Sequence, residues 1–389
     1  MRLDAERFAA PSPAPLGRLS LPSVTVSDER SPPPSGGVDP TFWRGRRVLV
    51  TGHTGFKGAW LCLWLQQLGA ELTGLSDGVP TTPSLFELAR MQDGLSHVVA
   101  DIRDAAAVAS AVVASRPEVV VHMAAQPMVR RSFSTPRETF ETNVMGTVNV
   151  LDAVRLAGAG TVRAVVNVTS DKCYDNREQG RPFVEDDCMG GHDPYSSSKG
   201  CAELVADAYR RSFFSDPEGP RVASARAGNV IGGGDWGAER LVPDVMRAAT
   251  ADAPIAIRNP EAVRPWQHVL NPLSGYLVIA QQLFAREPVD VGWNFGPAQG
   301  DVRPVRWIAD RLAQLWPDAL HWQLDPGPHP HEARFLSLDS SRARERLGWR
   351  PRWDLARTLE SIVVWYLAHR DGADLRALTL QQIEEFSGS

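Results

Sequence analysis

The sequence predicts an α/β fold: a Rossmann-like, doubly wound parallel sheet with a smaller mixed α/β part at the C-terminus. Three observations carry that reading. Strand-like runs alternate with helical stretches from residue 46 to residue 226. Those runs are almost continuously apolar, as strands covered on both faces are. The first of them ends in Thr51-Gly-His-Thr-Gly-Phe-Lys-Gly58, a glycine-rich turn that opens a helix.

Residues 1–40 carry eight prolines, scattered serines and no apolar period. Such a stretch cannot bury enough surface to offset its ordering entropy, and it reads as a disordered extension. A short strand follows at 46–50. The next helix, 56–68, places Trp60 and Trp64, and Leu61, Leu65 and Leu68, at helical spacing, a stripe that belongs in the core. Strands are expected at 71–76, 97–102, 118–123, 162–169 and 221–226. Between them lie an Ala/Val-rich helix and helices at 137–157 and 195–213. After residue 232 the alternation loosens. Short strands at 254–257 and 292–295 and helices at 273–286, 303–316 and 355–368 form the smaller part. The organisation is thus a 1–40 extension, a dinucleotide-binding domain over 41–232, and a second domain over 233–389.

With 43% hydrophobic residues, 22% charged and a net charge of −5, the chain matches a soluble globular protein and not a nucleic-acid binder. No apolar stretch approaches ~18 residues, so no membrane span is expected. Asp4 and Glu6 and the lack of an apolar segment exclude a secretory signal. Four cysteines without a C-x-x-C pair fit the reducing cytoplasm.

Gly52, Gly55 and Gly58 let the backbone turn tightly and approach a pyrophosphate, with Thr54 and Phe56 in the same turn. The helix start supplies amide donors and partial positive charge. About 20 residues on, Asp77 or Ser76 stands where an acid or hydroxyl meets the adenosine ribose. Neither has a basic neighbour, which favours NAD over NADP. Asp101 and Ile102, at the expected end of the third strand, either edge the adenine or open the next helix. Ala124, Ala125 and Gln126 close the fourth strand, where small side chains give a nicotinamide or diphosphate close access. His122 reads as a core histidine. His329-Pro-His331-Glu332 lacks a third ligand at regular spacing, so no metal is expected.

Tyr195 and Lys199 stand i,i+4 on one helical face. An ammonium beside a phenol favours the phenolate, which can take a hydroxyl proton while hydride leaves the same carbon. Thr169 and Asp171, two apart on the fifth strand, are expected to face the same side. Gly52, Ala124, Thr169, Asp171 and Gly228 all fall at carboxyl ends of strands, and so in one crevice. Arg226, Arg258 and Arg264 precede or sit within loops of the second part; Arg258 and Arg264 are candidate substrate-binding residues, and Arg264, beside Trp266, offers a bidentate phosphate donor.

Taken together, these motifs resemble the extended short-chain dehydrogenase/reductase family of nucleotide-sugar enzymes. Thr51–Gly58, His122-Met-Ala-Ala-Gln-Pro127, Thr169-Ser-Asp-Lys-Cys-Tyr-Asp175, Ala227–Trp236 and Arg264-Pro-Trp-Gln-His268 narrow the resemblance to its 4,6-dehydratases, and among them to those acting on CDP-glucose. It runs from about Phe42 to Trp365. It implies tightly bound NAD and conversion of CDP-glucose to CDP-4-dehydro-6-deoxyglucose: oxidation at C4, loss of water across C5 and C6, and hydride return to C6. Tyr195 then takes the C4 hydroxyl proton, Thr169 binds the C4 oxygen, and Asp171 protonates the leaving hydroxyl. The wider dehydratase family has Glu after this Asp as C5 base. Here Lys172 follows, as base or as enolate stabiliser. The resemblance also implies Asn229 and Arg264 at the substrate diphosphate and Arg131 near the sugar.

Two other readings compete. A nucleotide-sugar 4-epimerase needs the same Tyr, Lys and NAD but no acid at C6. A non-catalytic dinucleotide-sensing module needs neither Tyr195 nor Lys199. The expected partners are a nucleotide sugar and further copies of the chain in a dimer or tetramer, paired through the helices at 137–157 and 195–213. Neither nucleic acid nor membrane is expected.

Overall fold

Valine-rich runs that must bury both faces assemble into one sheet at the centre of the computed structural model, which describes residues 36–158, 160–251, 253–318, 320–327 and 333–389. Six strands come in chain order: β1 Arg47–Thr51, β2 Glu71–Ser76, β3 Ser96–Val99, β4 Val119–His122, β5 Ala164–Val168 and β6 Arg221–Ala227. A seventh, β7, is Gly292–Phe295. The spatial order is β7-β6-β5-β4-β1-β2-β3, and every pairing is parallel. The order reverses between β1 and β4, which opens a ligand crevice at their carboxyl ends.

Side chains alternate across the sheet. Val48 and Val50 of β1 enter one apolar layer, and Leu49 enters the other. In the helix Phe56–Gln67 every residue from Gly58 to Leu65 is buried, including the tryptophan stripe. The reason is a second cover. The helix Leu375–Gly388 packs over it, and Arg376 donates to Gln66 Oε1 at 2.9 Å.

Several expectations are corrected. β7 is not part of a smaller C-terminal unit but the edge of the central sheet, pairing with β6 from Ser224 to Ala227. The helix Leu270–Phe284 runs before it and covers β5 and β6, as a crossover helix does. The third strand stops at Val99, so Asp101 and Ile102 lie in the turn beyond it. The fifth stops at Val168, one residue short of Thr169. The expected 137–157 helix is three consecutive pieces: Pro136–Phe140, a π turn Glu141–Met145, and Gly146–Leu156. The helices Val129–Ser134 and Leu241–Thr250 were not anticipated.

Residues 1–35 of the expected extension, like His329, His331 and Glu332, lie outside the described residues. Residues 36–40 belong to the fold. The Asp39 amide donates to Gln281 Oε1 at 3.0 Å, and Gln281 Nε2 donates to the Gly37 carbonyl at 3.3 Å. No helix among the described residues is long and apolar enough to cross a membrane.

Candidate active site

The ends of β1 and β4 are joined by one hydroxyl. Thr51 Oγ1 accepts from the amides of Met123 and Ala124, each at 3.1 Å, and lies 2.7 Å from His122 Nδ1. His122 also meets Thr147, and burial takes its pKa down to about 3: a neutral core histidine, as expected. Gly52 then turns with φ +76°, and a Cβ there would sit 2.7 Å from the Ala124 amide nitrogen. A side chain on Gly58 would meet the Gly52 carbonyl at 2.2 Å. The turn therefore presents bare backbone at the start of the helix Phe56–Gln67, with Gly55 as its N-cap and no side chain capping it. Open amides at a helix N-terminus beside a turn that excludes side chains fit a dinucleotide pyrophosphate. Ala124 and Ala125 border the same turn, half-buried.

Ser76 and Asp77 differ in their surroundings. Ser76 Oγ is 3.0 Å from His53 Nδ1 and accepts from the Thr54 amide at 3.5 Å, while Thr54 Oγ1 donates to the Gly78 carbonyl. Asp77 is exposed just past the end of β2. Asp101 is held by Arg103, whose Nε donates to Oδ2 at 2.8 Å, and the next helix is capped by Asp104. Ile102 is buried against Gly146. Gln126 is buried as well. Its amide donates to Asn143 Oδ1, and its Nε2 to Thr139 Oγ1 and the Met128 carbonyl. That is an anchor for the π turn.

Beyond Val168 the chain leaves the sheet, and Asp171–Cys173 form a 3₁₀ turn whose first amides are capped by Ser170. Thr169 and Asp171 are therefore not neighbours on one strand face. Thr169 Oγ1 donates to Glu203 Oε1 instead. Ser170 is the hydroxyl that acts on the Tyr195 phenol, favouring its ionisation, and it donates to Asp171 Oδ1 at 3.0 Å.

Asp171 is 3% exposed, and its Oδ2 has no hydrogen-bond partner. A Cβ on Gly228 would lie 3.0 Å from that oxygen. Burial raises the Asp171 pKa, against the opposing pull of Lys172, the Ser170 hydroxyl, Arg264 and Lys57. Lys172 sits half-buried in the same turn.

Tyr195 and Lys199 lie on the helix Pro194–Ser212, whose N-cap Asp193 accepts from the Ser196 amide at 2.9 Å. Burial pushes the phenol up to about 12, moderated by Ser170 and then by Arg240. The Lys199 ammonium points to the Val168 carbonyl at 3.5 Å, and burial lowers its pKa to about 8 against the attraction of Glu203.

Of the arginines, Arg264 is buried and acts on Asp171, within the site. Arg258 donates to the Glu239 carbonyl at 3.3 Å. Asn229 follows Gly228 and accepts through its carbonyl from the Gln267 amide. Arg131 is exposed and paired with Glu138 at 2.8 Å, and nothing here joins it to Tyr195 or Asp171. Arg226 is no phosphate donor; it is buried in a two-pronged pair with Glu203.

Two cations went unnoticed in the sequence. Arg240 pairs with Asp235 at 3.0 Å and acts on Tyr195. Lys57, inside the glycine-rich turn, donates to Tyr276 Oη at 2.9 Å. The residue is half-buried, yet its amine lies deep: burial, then Lys199 and Arg240, bring its pKa down to about 7, with Asp171 opposing. A signal for Lys57 was present. Of forty-one Lys and Arg residues only three are lysine, Lys57, Lys172 and Lys199, and all three gather around Asp171 and Tyr195. Unlike a guanidinium, an amine can lose its proton when it is buried.

Residues 49–362 match the family model described as GDP-mannose 4,6 dehydratase. A CDP-glucose 4,6-dehydratase of Salmonella typhimurium is 50% identical over 90% of this chain and 98% of its own length. A dTDP-glucose 4,6-dehydratase of Xanthomonas campestris pv. campestris is 26% identical over 83% of this chain and 93% of its own. The fold matches that of a UDP-glucose 4-epimerase from Stenotrophomonas maltophila solved with NAD, with TM-score 0.73, 23% identity, and coverage of 84% of this chain and 100% of that one. A dTDP-glucose 4,6-dehydratase from Streptomyces venezuelae, also solved with NAD, gives TM-score 0.70 at 24% identity, covering 85% and 99%. With the family match running across most of the chain and half of all positions shared with a curated relative, the protein belongs to the nucleotide-sugar 4,6-dehydratases of the short-chain dehydrogenase/reductase type.

Proposed function

We propose that the protein dehydrates CDP-glucose to CDP-4-dehydro-6-deoxyglucose with bound NAD. The observation that carries this is Asp171: a buried carboxyl whose pKa is raised, with one oxygen free, joined through Ser170 to the phenol of Tyr195. A 4-epimerase has no use for such an acid.

Gly52, Gly55, Gly58 and the helix start hold the pyrophosphate, Thr54 and Phe56 line the turn, and Asp77 meets the ribose. Bound NAD supplies a hydride acceptor at C4 and a hydride donor at C6. Tyr195 takes the C4 hydroxyl proton, and Ser170 holds that oxygen. The phenol has to give up its proton below about 12, and Arg240 and Lys199 are the cations at hand to favour this. The ketone acidifies C5. Lys172 accepts that proton or stabilises the enolate while Asp171 protonates the C6 hydroxyl, which leaves as water. Arg264, Asn229 and Arg258, from the chain after β6, bind the diphosphate, so residues 233–389 mainly serve the nucleotide sugar.

The four unpaired cysteines fit a cytoplasmic enzyme. Phe133, Phe140, Met145, Leu156, Leu204 and Phe213 are exposed apolar residues on or beside the helices between Val129 and Ser212. They support a homo-oligomer built on that face, which light scattering reads directly; a monomer at micromolar concentration refutes it.

The test is product analysis. With NAD and CDP-glucose, absorbance near 320 nm in alkali should appear, and UDP- and dTDP-glucose should do poorly. Asp171→Asn should still form NADH in a single turnover but release little 6-deoxy product. Normal product from that variant overturns the acid, and CDP-galactose without the 320 nm signal overturns the dehydratase reading.

A further inference from the structure

The residue one turn beyond Lys199 has no place in the mechanism above, yet it is the hub of the buried polar network beneath it. Glu203 is 6% exposed. Its Oε1 accepts from Thr169 Oγ1 and from Arg226 Nε at 2.9 Å, and its Oε2 from Arg226 Nη2 at 2.8 Å. Arg226 Nη1 continues to Tyr174 Oη at 2.7 Å and to the Glu185 carbonyl at 3.0 Å. Tyr174 Oη donates to Asn294 Oδ1 at 2.6 Å, on β7. The 3₁₀ turn that carries Asp171 is thus held at both ends, by Thr169 before it and Tyr174 after it.

We infer that Glu203 is a positioning residue: its carboxylate fixes the end of β5 through Thr169 and keeps the Lys199 ammonium charged beside Tyr195. This rests on the dehydratase reading of the site. The groups facing Lys199 leave few alternatives. From β5 comes the Val168 carbonyl, and from the 3₁₀ turn the Cys173 thiol. Lys57 faces it from the helix Phe56–Gln67, and His122 from β4. Burial keeps the thiol protonated, with a pKa raised well above 9, and His122 neutral. Lys57 repels when charged. Among the described residues, that leaves Glu203 as the negative charge acting on Lys199 at neutral pH.

An ion pair present for packing alone tolerates replacement by apolar residues. One that holds a neighbouring amine in its charged state does not, because the loss appears in that amine's titration. With three lysines in the chain, this titration can be read directly. Protein labelled with ¹³Cε-lysine, with NAD bound, gives three side-chain signals, assigned by the single lysine-to-arginine variants. In Glu203→Gln the midpoint of the Lys199 signal should fall by at least about one pH unit. The basic limb of kcat/KM for CDP-glucose should move down with it, and Glu203→Asp should restore part of both.

Glu203→Gln leaves Arg226 buried without its counter-charge and so threatens folding. Glu203→Gln with Arg226→Met removes both charges and keeps the test alive. A folded variant with the Lys199 midpoint and the basic limb unmoved overturns the inference. Failure of the unaltered protein to turn over CDP-glucose refutes the dehydratase reading instead, and the Lys199 titration still decides the role of Glu203.

Discussion

Lys57→Met in the ligand-free protein tests how deep the site's third amine lies. Burial takes this lysine from its ordinary 10.5 to about 7. Between those two values the unfolded chain holds a proton that the folded one has released, so the stability contribution of Lys57 rises with pH through that window. Below about 7 the amine is charged in both states, and the cost of burying it is fully present. Each pKa unit corresponds to about 1.4 kcal/mol, so the cost is about 4–5 kcal/mol at pH 6 and about 1–2 at pH 9.5. Because the stem is half-open to solvent, a change of about 2–3 kcal/mol across that interval is expected. Methionine has no charge and loses the bond to Tyr276, worth about 1 kcal/mol. Lys57→Met should therefore be clearly more stable than the unaltered protein at pH 6, and about equal to it at pH 9.5. Urea unfolding of both proteins at half-unit pH steps reads the difference. A difference in stability that stays constant with pH refutes the buried-amine argument, whatever its size.

Tyr195→Phe keeps the ring and removes the acid, so NADH appearance in a single turnover should slow by roughly 10²–10⁴-fold with little change in substrate affinity. A rate within threefold would assign the C4 proton to another group. Ser170→Ala and Thr169→Val separate the two adjacent hydroxyls. The first should slow C4 oxidation directly, because Ser170 acts on the Tyr195 phenol and donates to Asp171. The second should cost about 1 kcal/mol of stability through the lost bond to Glu203 and have the smaller kinetic effect. The reverse order of rates would return the C4 oxygen to Thr169. Lys172→Met should suppress exchange of the C5 hydrogen with solvent deuterium and spare C4 oxidation; undiminished exchange removes Lys172 from the chemistry.

Most of the central sheet was legible because its strands announce themselves. Val119-Val-Val-His122 and Ala164-Val-Val-Asn-Val168 are short and apolar, and each leads into a helix. The glycine-rich turn was legible for a related reason, since Gly52 needs a positive φ and Gly58 a close approach. The misreadings lie where a pattern ends. Strand alternation was carried past Val168, which placed Thr169 and Asp171 on one strand face that the chain does not keep. Gly292–Phe295 was assigned by its distance along the chain, whereas pairing with β6 depends on a partner that local sequence does not name. The pairing of Arg226 with Glu203 was not legible, because its buried partner lies twenty-three residues away on another element. The partner of Lys199 was not legible, because i,i+4 spacing reports a shared helix face and not the carbonyl that its ammonium meets.

The late arrival of β7 has a consequence for synthesis. Ribosomal growth delivers β1 to β6 by residue 227, but the strand that closes β6 comes only at 292, after its covering helix 270–284. Until then the nascent chain shows a long apolar strand with an unpaired edge, the kind of surface that joins neighbouring polypeptides. At about 5–20 residues per second that interval lasts several seconds. Nor can the chain be cut at the junction once finished: a fragment ended at 232 keeps the glycine-rich turn, Tyr195 and Asp171, yet strands them on a sheet with an open flank. Chaperone dependence during translation, rather than fragility of the finished enzyme, is the expected mark of this topology.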